Sequence, residues 1–329
     1  MIGARAARNT DLVVVGAGPA GATAARLLAL QGRPPLMIDL QGTGCDRLEV
    51  IAPAVLPLVN ALGLMSLLED PAVARPCLGI RRRWGDPPVR PDTDEFLRRP
   101  GGRGFVVDRR RFDLRLRQAA QEAGVEFRRG KIIGVQREAG RISLLLRDGT
   151  GEETLRAQWV IDATGRPASV ARRLGARLHR AEKLVAERVA TARTGDPGAP
   201  NWLEVVAGCD NWSYSIAGPA GRSEVWRIAR QSSRPRPLAC RRVDASSGVL
   251  SRAAGAGWVA VGDAASAFDP ITSQGLANAL GTALAAAGAI ASKSHPTSDM
   301  QQGYSDLVLM TFVHSERQRR EVYRVFKPW

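Results

Sequence analysis

Lysine is nearly missing from this chain. Only Lys131, Lys183, Lys293 and Lys327 stand among 47 basic residues, against 32 acidic ones, so a net charge of +15 rests almost wholly on arginine. A nucleic-acid surface of that charge clusters its basic residues and interleaves aromatics with them. Here the arginines are scattered and aromatics make up 5% of the chain, which excludes nucleic acid as a partner. The charge is then a compositional bias or an attraction for anionic ligands and acidic partners. Four cysteines (Cys45, Cys77, Cys209, Cys240) include no Cys-x-x-Cys pair, which excludes a zinc ribbon and a redox dithiol. His179, His295 and His314 are too dispersed to nominate a metal site. Long apolar runs are also missing. The stretch from Leu276 to Ala291 is rich in alanine and glycine and too short to span a bilayer. The first ten residues hold no apolar core of a signal peptide before Asp11. These absences predict a cytoplasmic chain with no membrane span.

At 329 residues and 44% hydrophobic content, the chain can bury a large core. Residues 11–16 (DLVVVG) read as a buried strand, 19–32 as a helix ending near Gly32, and Leu36 to Leu40 as a second strand after Pro34 and Pro35. That order is a βαβ start. Composition predicts a helix over 51–69, an irregular stretch over 70–104, a strand at 105–107 and a helix over 112–123 closed by Gly124. Three strand-like runs follow at 125–136, 141–147 and 154–161, with Asp148-Gly149 as a turn between the last two. Residues 176–250 hold Trp202, Trp212 and Trp226 in weakly alternating β-structure. A buried strand at 257–262 and helices over 274–292 and 299–325 complete the chain. The expected fold is α/β: a Rossmann-type domain with a β-meander, a smaller and mainly β substrate domain, and a C-terminal helix. Its parts are 10–80, 101–175 and 251–292 for the first, 81–100 and 176–250 for the second, and 293–329 for the last.

Three short segments carry the chemistry. In the first, Gly16 permits a tight turn, Gly18 lets the backbone approach a pyrophosphate and Gly21 lets helix and strand pack closely; Pro19 and Ala20 open the helix. Asp39, 23 residues after Gly16 at the end of the second strand, is placed to accept hydrogen bonds from ribose hydroxyls. The second segment, Asp162 with Ala163, Thr164 and Gly165, is a strand-ending turn of small residues. In the third, Gly262 precedes Asp263, a carboxylate suited to a ribityl hydroxyl or to a helix N-cap. The run continues to Pro270, Gln274, Gly275 and Leu276. Gly275 opens a helix whose N–H groups would stabilise negative charge on a reduced ring.

The pieces GAGPAG (16–21), VDRRRFD (107–113), DATG (162–165) and GDAASAFDPITSQGLANAL (262–280) together resemble the FAD-dependent monooxygenase superfamily of the p-hydroxybenzoate hydroxylase type. That superfamily also includes flavin-dependent halogenases and geranylgeranyl reductases. The resemblance implies non-covalent FAD, with Arg109 beside it, Asp263 at its ribityl and pyrophosphate region, and Pro270 and Gly275 lining the isoalloxazine. Arg47 and Glu49 stand where the family often has Arg-x-Gly-Glu, with Leu48 in place of the glycine. Within the superfamily the chain is most similar to flavoprotein maturases of cysteine-tryptophylquinone enzymes. Pro76-Cys77-Leu78-Gly79, Trp84-Gly85, Asn211-Trp212-Ser213-Tyr214, Pro219, and His314 with Arg317 and Tyr323 carry that likeness. It implies NAD(P)H or a partner reductase as electron donor and a flavin hydroperoxide near Pro270. The oxygen acceptor is then an electron-rich aromatic, either a tryptophan of a partner quinoprotein subunit or a small molecule. Trp212 and Tyr214 are candidates for contacting it, or else sheet core. A halogenase would need a tunnel lysine and a Trp-x-Trp-x-Ile-Pro piece, neither of which is present. A flavin-dependent reductase of a small molecule or lipid, and an FAD-containing assembly chaperone, remain as alternatives.

Overall fold

The computed structural model describes residues 7–40, 45–84, 89–193, 199–208, 210–231, 242–291 and 297–326. Residues 1–6, Gly85, Cys209, Cys240, Lys293, His295 and Lys327, all weighed in the sequence, lie outside the described residues, as does the side chain of Trp84.

Parallel strands covered on both faces read as unbroken apolar runs. Arg8–Val15 is polar at its exposed start and then buries Leu12, Val13, Val14 and Val15. It pairs in parallel with Leu36–Asp39 on one side and Gly151–Asp162 on the other. Glu126–Arg129 and Trp258–Ala260 extend the parallel sheet at its two flanks. The strand Gly151–Asp162 belongs to two environments, and its sequence shows both. Its first part alternates buried and partly exposed residues where it pairs antiparallel with Arg141–Asp148, and its last four, Trp159 to Asp162, are buried throughout. Among the described residues this sheet has eight strands, counting the meander strand Lys131–Glu138.

Helices pack beside the sheet and on one another. Helix α1 (Pro19–Leu30) buries Ala20, Ala22, Ala24 and Ala25. Helix α2 (Arg109–Glu122) starts where Asp108 accepts the N–H groups of Arg110 and Arg111, a side-chain N-cap. Helix α3 (Gly275–Ala291), rich in alanine, leucine and glycine, packs on α1. Helix α4 (Ser298–Phe326) buries Tyr304 and Val308 against this core.

A second sheet of seven strands, counted among the described residues, runs in the order 242–244, 184–193, 222–230, 211–217, 202–207, 79–84, 89–95. Its neighbours are antiparallel except where Trp202–Ala207 meets Gly79–Trp84. Alternation sends Ala186, Leu203, Val205, Trp212, Ile216, Trp226 and Ile228 into a second core.

Three expectations need correction. Residues 51–69 are not one helix: a strand ends at Ile51, and short helices at Leu56–Ala61 and Met65–Glu69 are separated at Gly63, whose φ is +65°. The stretch 70–104 is not irregular. It holds strands at Ala74–Cys77, Gly79–Trp84 and Val89–Glu95, despite its proline and arginine content, because Gly104–Asp108 pairs with the first, Trp202–Ala207 with the second, and the third folds back on the second. The run 125–136 is two strands in different pairings, one parallel to Leu36–Asp39 and one antiparallel in the meander, broken at Gly130.

Candidate functional site

A cavity of about 820 Å³ lies between the end of the parallel sheet and the inner face of the second sheet. That is within the size range of small-molecule and cofactor sites. Gly16, Gly18, Pro19, Ala20, Asp39, Arg47, Arg109, Ala163, Thr164, Gly165, Asp263, Pro270, Gln274, Gly275, Leu276, Trp212 and Tyr214 all line it. Gly21 and Gly262 do not; they sit behind the wall. A Cβ on Gly21 would meet Gly16 O at 1.9 Å, and one on Gly262 would meet the Ala20 Cβ at 2.8 Å. Both glycines therefore set packing and do not reach the cavity.

The glycine turn is shaped for an anion. Gly16 has φ +108°, and a Cβ there would lie 2.1 Å from Ala163 O, so only glycine fits. A Cβ on Gly18 would meet nothing within 4 Å, so the backbone there borders open space. Gly18, the N-cap of α1, has no side chain to cap the first N–H groups of the helix, which leaves them for a ligand. Asp39 Oδ2 accepts Ala17 N at 2.6 Å, so the carboxylate also holds the turn in place.

Asp162 is wholly buried and does not face the cavity. Its Oδ1 accepts Thr164 N at 3.0 Å and Thr164 Oγ1 at 2.7 Å. Its Oδ2 accepts Val170 N at 2.9 Å and Ala171 N at 2.7 Å. Burial pushes its carboxyl above the ordinary value while these donors oppose the push. Ala163 and Thr164 are thus carried on a turn fixed from within.

A charged cluster forms the middle of the wall. Arg109, buried, donates to Asp113 Oδ1 at 2.8 Å and to Glu49 Oε2 at 2.5 Å. Arg47 reaches the same Glu49 oxygen at 3.0 Å. Burial pushes the Glu49 carboxyl up, but the two guanidiniums outweigh it and hold the group below its ordinary value. Glu49 also lies against the start of α3, where a Gly275 Cβ would be 3.1 Å from Oε1.

Sequence reasoning missed two groups. Arg166 pairs with Asp263 at 3.5 Å and donates to Phe268 O at 3.1 Å and to Ser246 O. Its signal was its place directly after Gly165. Glu224, with a side chain wholly buried, accepts Leu48 N at 3.0 Å and Trp226 Nε1 at 2.8 Å and pairs with Arg188 and Arg222. Alternation puts residues 224, 226 and 228 on the sheet's inner face, which is the pattern that could have found it.

The rest of the cavity is an apolar chamber. Leu203, Val205, Trp212, Ile216 and Trp226 face Phe268, Pro270 and Ile271. Trp212 and Tyr214 lie with ring centroids 5.9 Å apart and planes tilted by 35°. Asp269 closes this end. Burial pushes its carboxyl up to about 6, against the hydrogen bonds from Ile271 N and Tyr323.

Comparison with known proteins points the same way. Residues 9–232 match the family described as FAD binding domain. The menaquinone reductase of Mycobacterium tuberculosis is 30% identical over 321 residues, spanning 85% of this chain and 76% of the reductase. Among solved structures, the peptidyl tryptophan dihydroxylase QhpG, essential for tryptophylquinone cofactor biogenesis, superposes with TM-score 0.75 at 22% identity, over 97% of this chain and 76% of its own. The flavin-dependent brominase Bmp2 does so with TM-score 0.77 at 18% identity, over 97% and 94%. At those identities the structural likeness speaks for the fold.

Proposed function

The chain belongs to the FAD-binding-domain family, and from that premise we propose that it is an FAD-dependent monooxygenase hydroxylating an electron-rich aromatic ring. One observation carries the reading: a single cavity joins an anion-shaped glycine turn to an apolar chamber walled by Trp212, Tyr214 and Trp226. The residues present fit FAD, since Gly18 borders open space and, as the N-cap of α1, puts no side chain on the first turn. Bound there, FAD would supply the redox chemistry between a two-electron donor, NAD(P)H or a partner reductase, and dioxygen.

The chain's own residues do the rest. Gly16, Gly18, Pro19 and Ala20 hold the pyrophosphate at the α1 N-terminus, and Asp39 holds the adenosine ribose. Ala163, Thr164 and Gly165 wall the cofactor, Arg47 and Arg109 flank it, and Asp263 takes the ribityl chain. Pro270, Gln274, Gly275 and Leu276 surround the ring, where the N-terminal end of α3 favours negative charge. Trp212, Ile216, Leu203 and Val205 exclude water and present flat apolar surface to an aromatic substrate. The substrate unit comprises 81–100 and 176–250, the FAD unit 10–80, 101–175 and 251–292. A tryptophan of a partner quinoprotein subunit and a free small aromatic both suit the chamber.

A second reading is reduction of an unsaturated apolar substrate. It is favoured by the 30% identity to a menaquinone reductase over 85% of the chain, and the apolar chamber suits it equally. Aerobic oxidation of NAD(P)H, followed by flavin absorbance with and without indole-bearing peptides, separates the two. Oxidation stimulated by the peptide, with a product heavier by one oxygen, supports oxygenation. Anaerobic turnover of a prenylated quinone, with a product heavier by two hydrogens and no oxygenated product in air, would establish the second reading instead.

A further inference from the structure

A chain of hydrogen bonds runs through the chamber wall from the strand face to the turn before α3. Trp212 Nε1 donates to Tyr323 Oη at 3.1 Å. Tyr323 Oη donates to Asp269 Oδ2 at 2.5 Å. The other Asp269 oxygen accepts Ile271 N at 3.0 Å and so caps the 3-10 turn Pro270–Thr272. Trp212 and Asp269 are each 1% exposed, and both line the cavity. Tyr323 does not line it; it stands behind, near the end of α4, with its ring under the Arg319 guanidinium.

The chemistry of that position is restrictive. A buried indole N–H needs an acceptor, and a buried carboxylate needs a donor. A phenolic hydroxyl is both at once and reaches across the gap. Glu182 and Arg319 also act on the Asp269 carboxylate through space, one against its charge and one for it. The hydroxyl therefore ties a residue of the substrate wall to the turn that carries Pro270. Residues 212, 269 and 323 lie on a sheet strand, a loop and the C-terminal helix, so the two bonds join three elements far apart in sequence, beside the packing of Ile271 and Val322 on the same core.

We infer that Tyr323 is a positioning residue for the substrate chamber: from α4 it holds the Trp212 indole and the Pro270–Thr272 turn at a fixed separation, and that separation selects the substrate. The selection part rests on the reading of the chamber as the substrate site; the holding part does not. Removing the hydroxyl leaves the ring packed but frees the indole, so affinity for a flat aromatic falls while the glycine-turn end of the cavity, built from Gly16, Gly18 and Asp39, is untouched.

The test uses FAD-loaded wild type, Tyr323→Phe, Trp212→Phe and the double variant. Tryptophan amide is titrated against flavin fluorescence as an indole probe. Tyr323→Phe should weaken its binding about tenfold, a difference of roughly 1.4 kcal/mol. The double variant should bind no more weakly than Trp212→Phe alone, and FAD content should not change. Equal binding by wild type and Tyr323→Phe, or additive losses, would overturn the selection. The near-ultraviolet circular dichroism of Trp212, taken as wild type minus Trp212→Phe, needs no substrate. It should collapse in Tyr323→Phe. An unchanged band would overturn the holding role, whatever the substrate proves to be.

Discussion

Replacing Asp162 by asparagine tests how the wall of the cofactor cavity is built. The side chain is 0% exposed and accepts four hydrogen bonds, two on each oxygen. Asparagine keeps the shape but turns one oxygen into a donor. Turned toward Val170 and Ala171, its amide nitrogen faces two backbone N–H groups that have no other way to bond. Turned toward Thr164, it is better tolerated, because the Thr164 hydroxyl, which already accepts Ser169 N, can accept the amide as well, at the cost of its own O–H bond and of the bond from Thr164 N. Hydrogen bonds to a charged group contribute about 1.5–3 kcal/mol, and a buried unpaired donor costs about 1–3 kcal/mol. Relief of the buried charge offsets part of this, since burial already pushes the carboxyl up. The net loss is then about 3–4 kcal/mol. At roughly 1.5 °C per kcal/mol for a chain of 329 residues, the melting temperature should fall by about 4–6 °C. Calorimetry of wild type and Asp162→Asn at equal, saturating FAD measures it. Because the Ala163 carbonyl lies against Gly16, the variant should also release flavin faster on dilution. A melting temperature within 2 °C of wild type, with unchanged flavin release, would refute the reasoning.

Three further outcomes follow from the same structure. Gly16→Ala drives a Cβ to 2.1 Å from Ala163 O at φ +108°, so the purified variant should lose nearly all bound flavin, read from the ratio of flavin to protein absorbance after gel filtration. Arg109→Met leaves buried Asp113 without its cation and Glu49 with Arg47 alone, and loss of one partner from a buried pair costs about 3–5 kcal/mol. Urea denaturation should show it, and Arg109→Lys should recover only part, because one ammonium cannot replace a fork of N–H groups. Asp269 titrates near 6 when folded, above an unfolded value of about 3.9. The folded state thus binds more protons between those values, and wild type gains stability as pH falls through that window. The gain is about 3 kcal/mol at most. Asp269→Asn lacks that gain, so the stability difference in favour of wild type should widen from pH 7 to pH 4.5; a difference flat in pH would contradict the assignment.

Local signals were legible in the sequence and non-local ones were not. The buried run ending at Val15, the glycine turn after it and the close of the first helix near Gly32 each depend on neighbours within a few residues, and the structure has them there. The strand Gly79–Trp84 was not legible, because Arg81, Arg82 and Arg83 look irregular until Trp202–Ala207 pairs beside them. Pro53, Pro57 and Gly63 carry the signal that breaks the expected helix over 51–69. The same divide holds at the site. The glycine turn, Asp39 and Gly275 were readable as motifs. The bond from Glu224 to Leu48 joins residues 176 apart, and the one from Tyr323 to Asp269 joins residues 54 apart, so only the folded chain brings them together.

Oxygen transfer is the central claim, and a turnover under ¹⁸O₂ tests it most directly. The FAD-loaded protein, a reductant and an indole-bearing peptide are incubated in labelled gas, and the peptide is analysed by mass spectrometry. The account predicts one ¹⁸O atom on the tryptophan ring for each hydroxylation. Peptide of unchanged mass, with reductant consumed and a quinone or polyprenyl substrate saturated in its place, would contradict it.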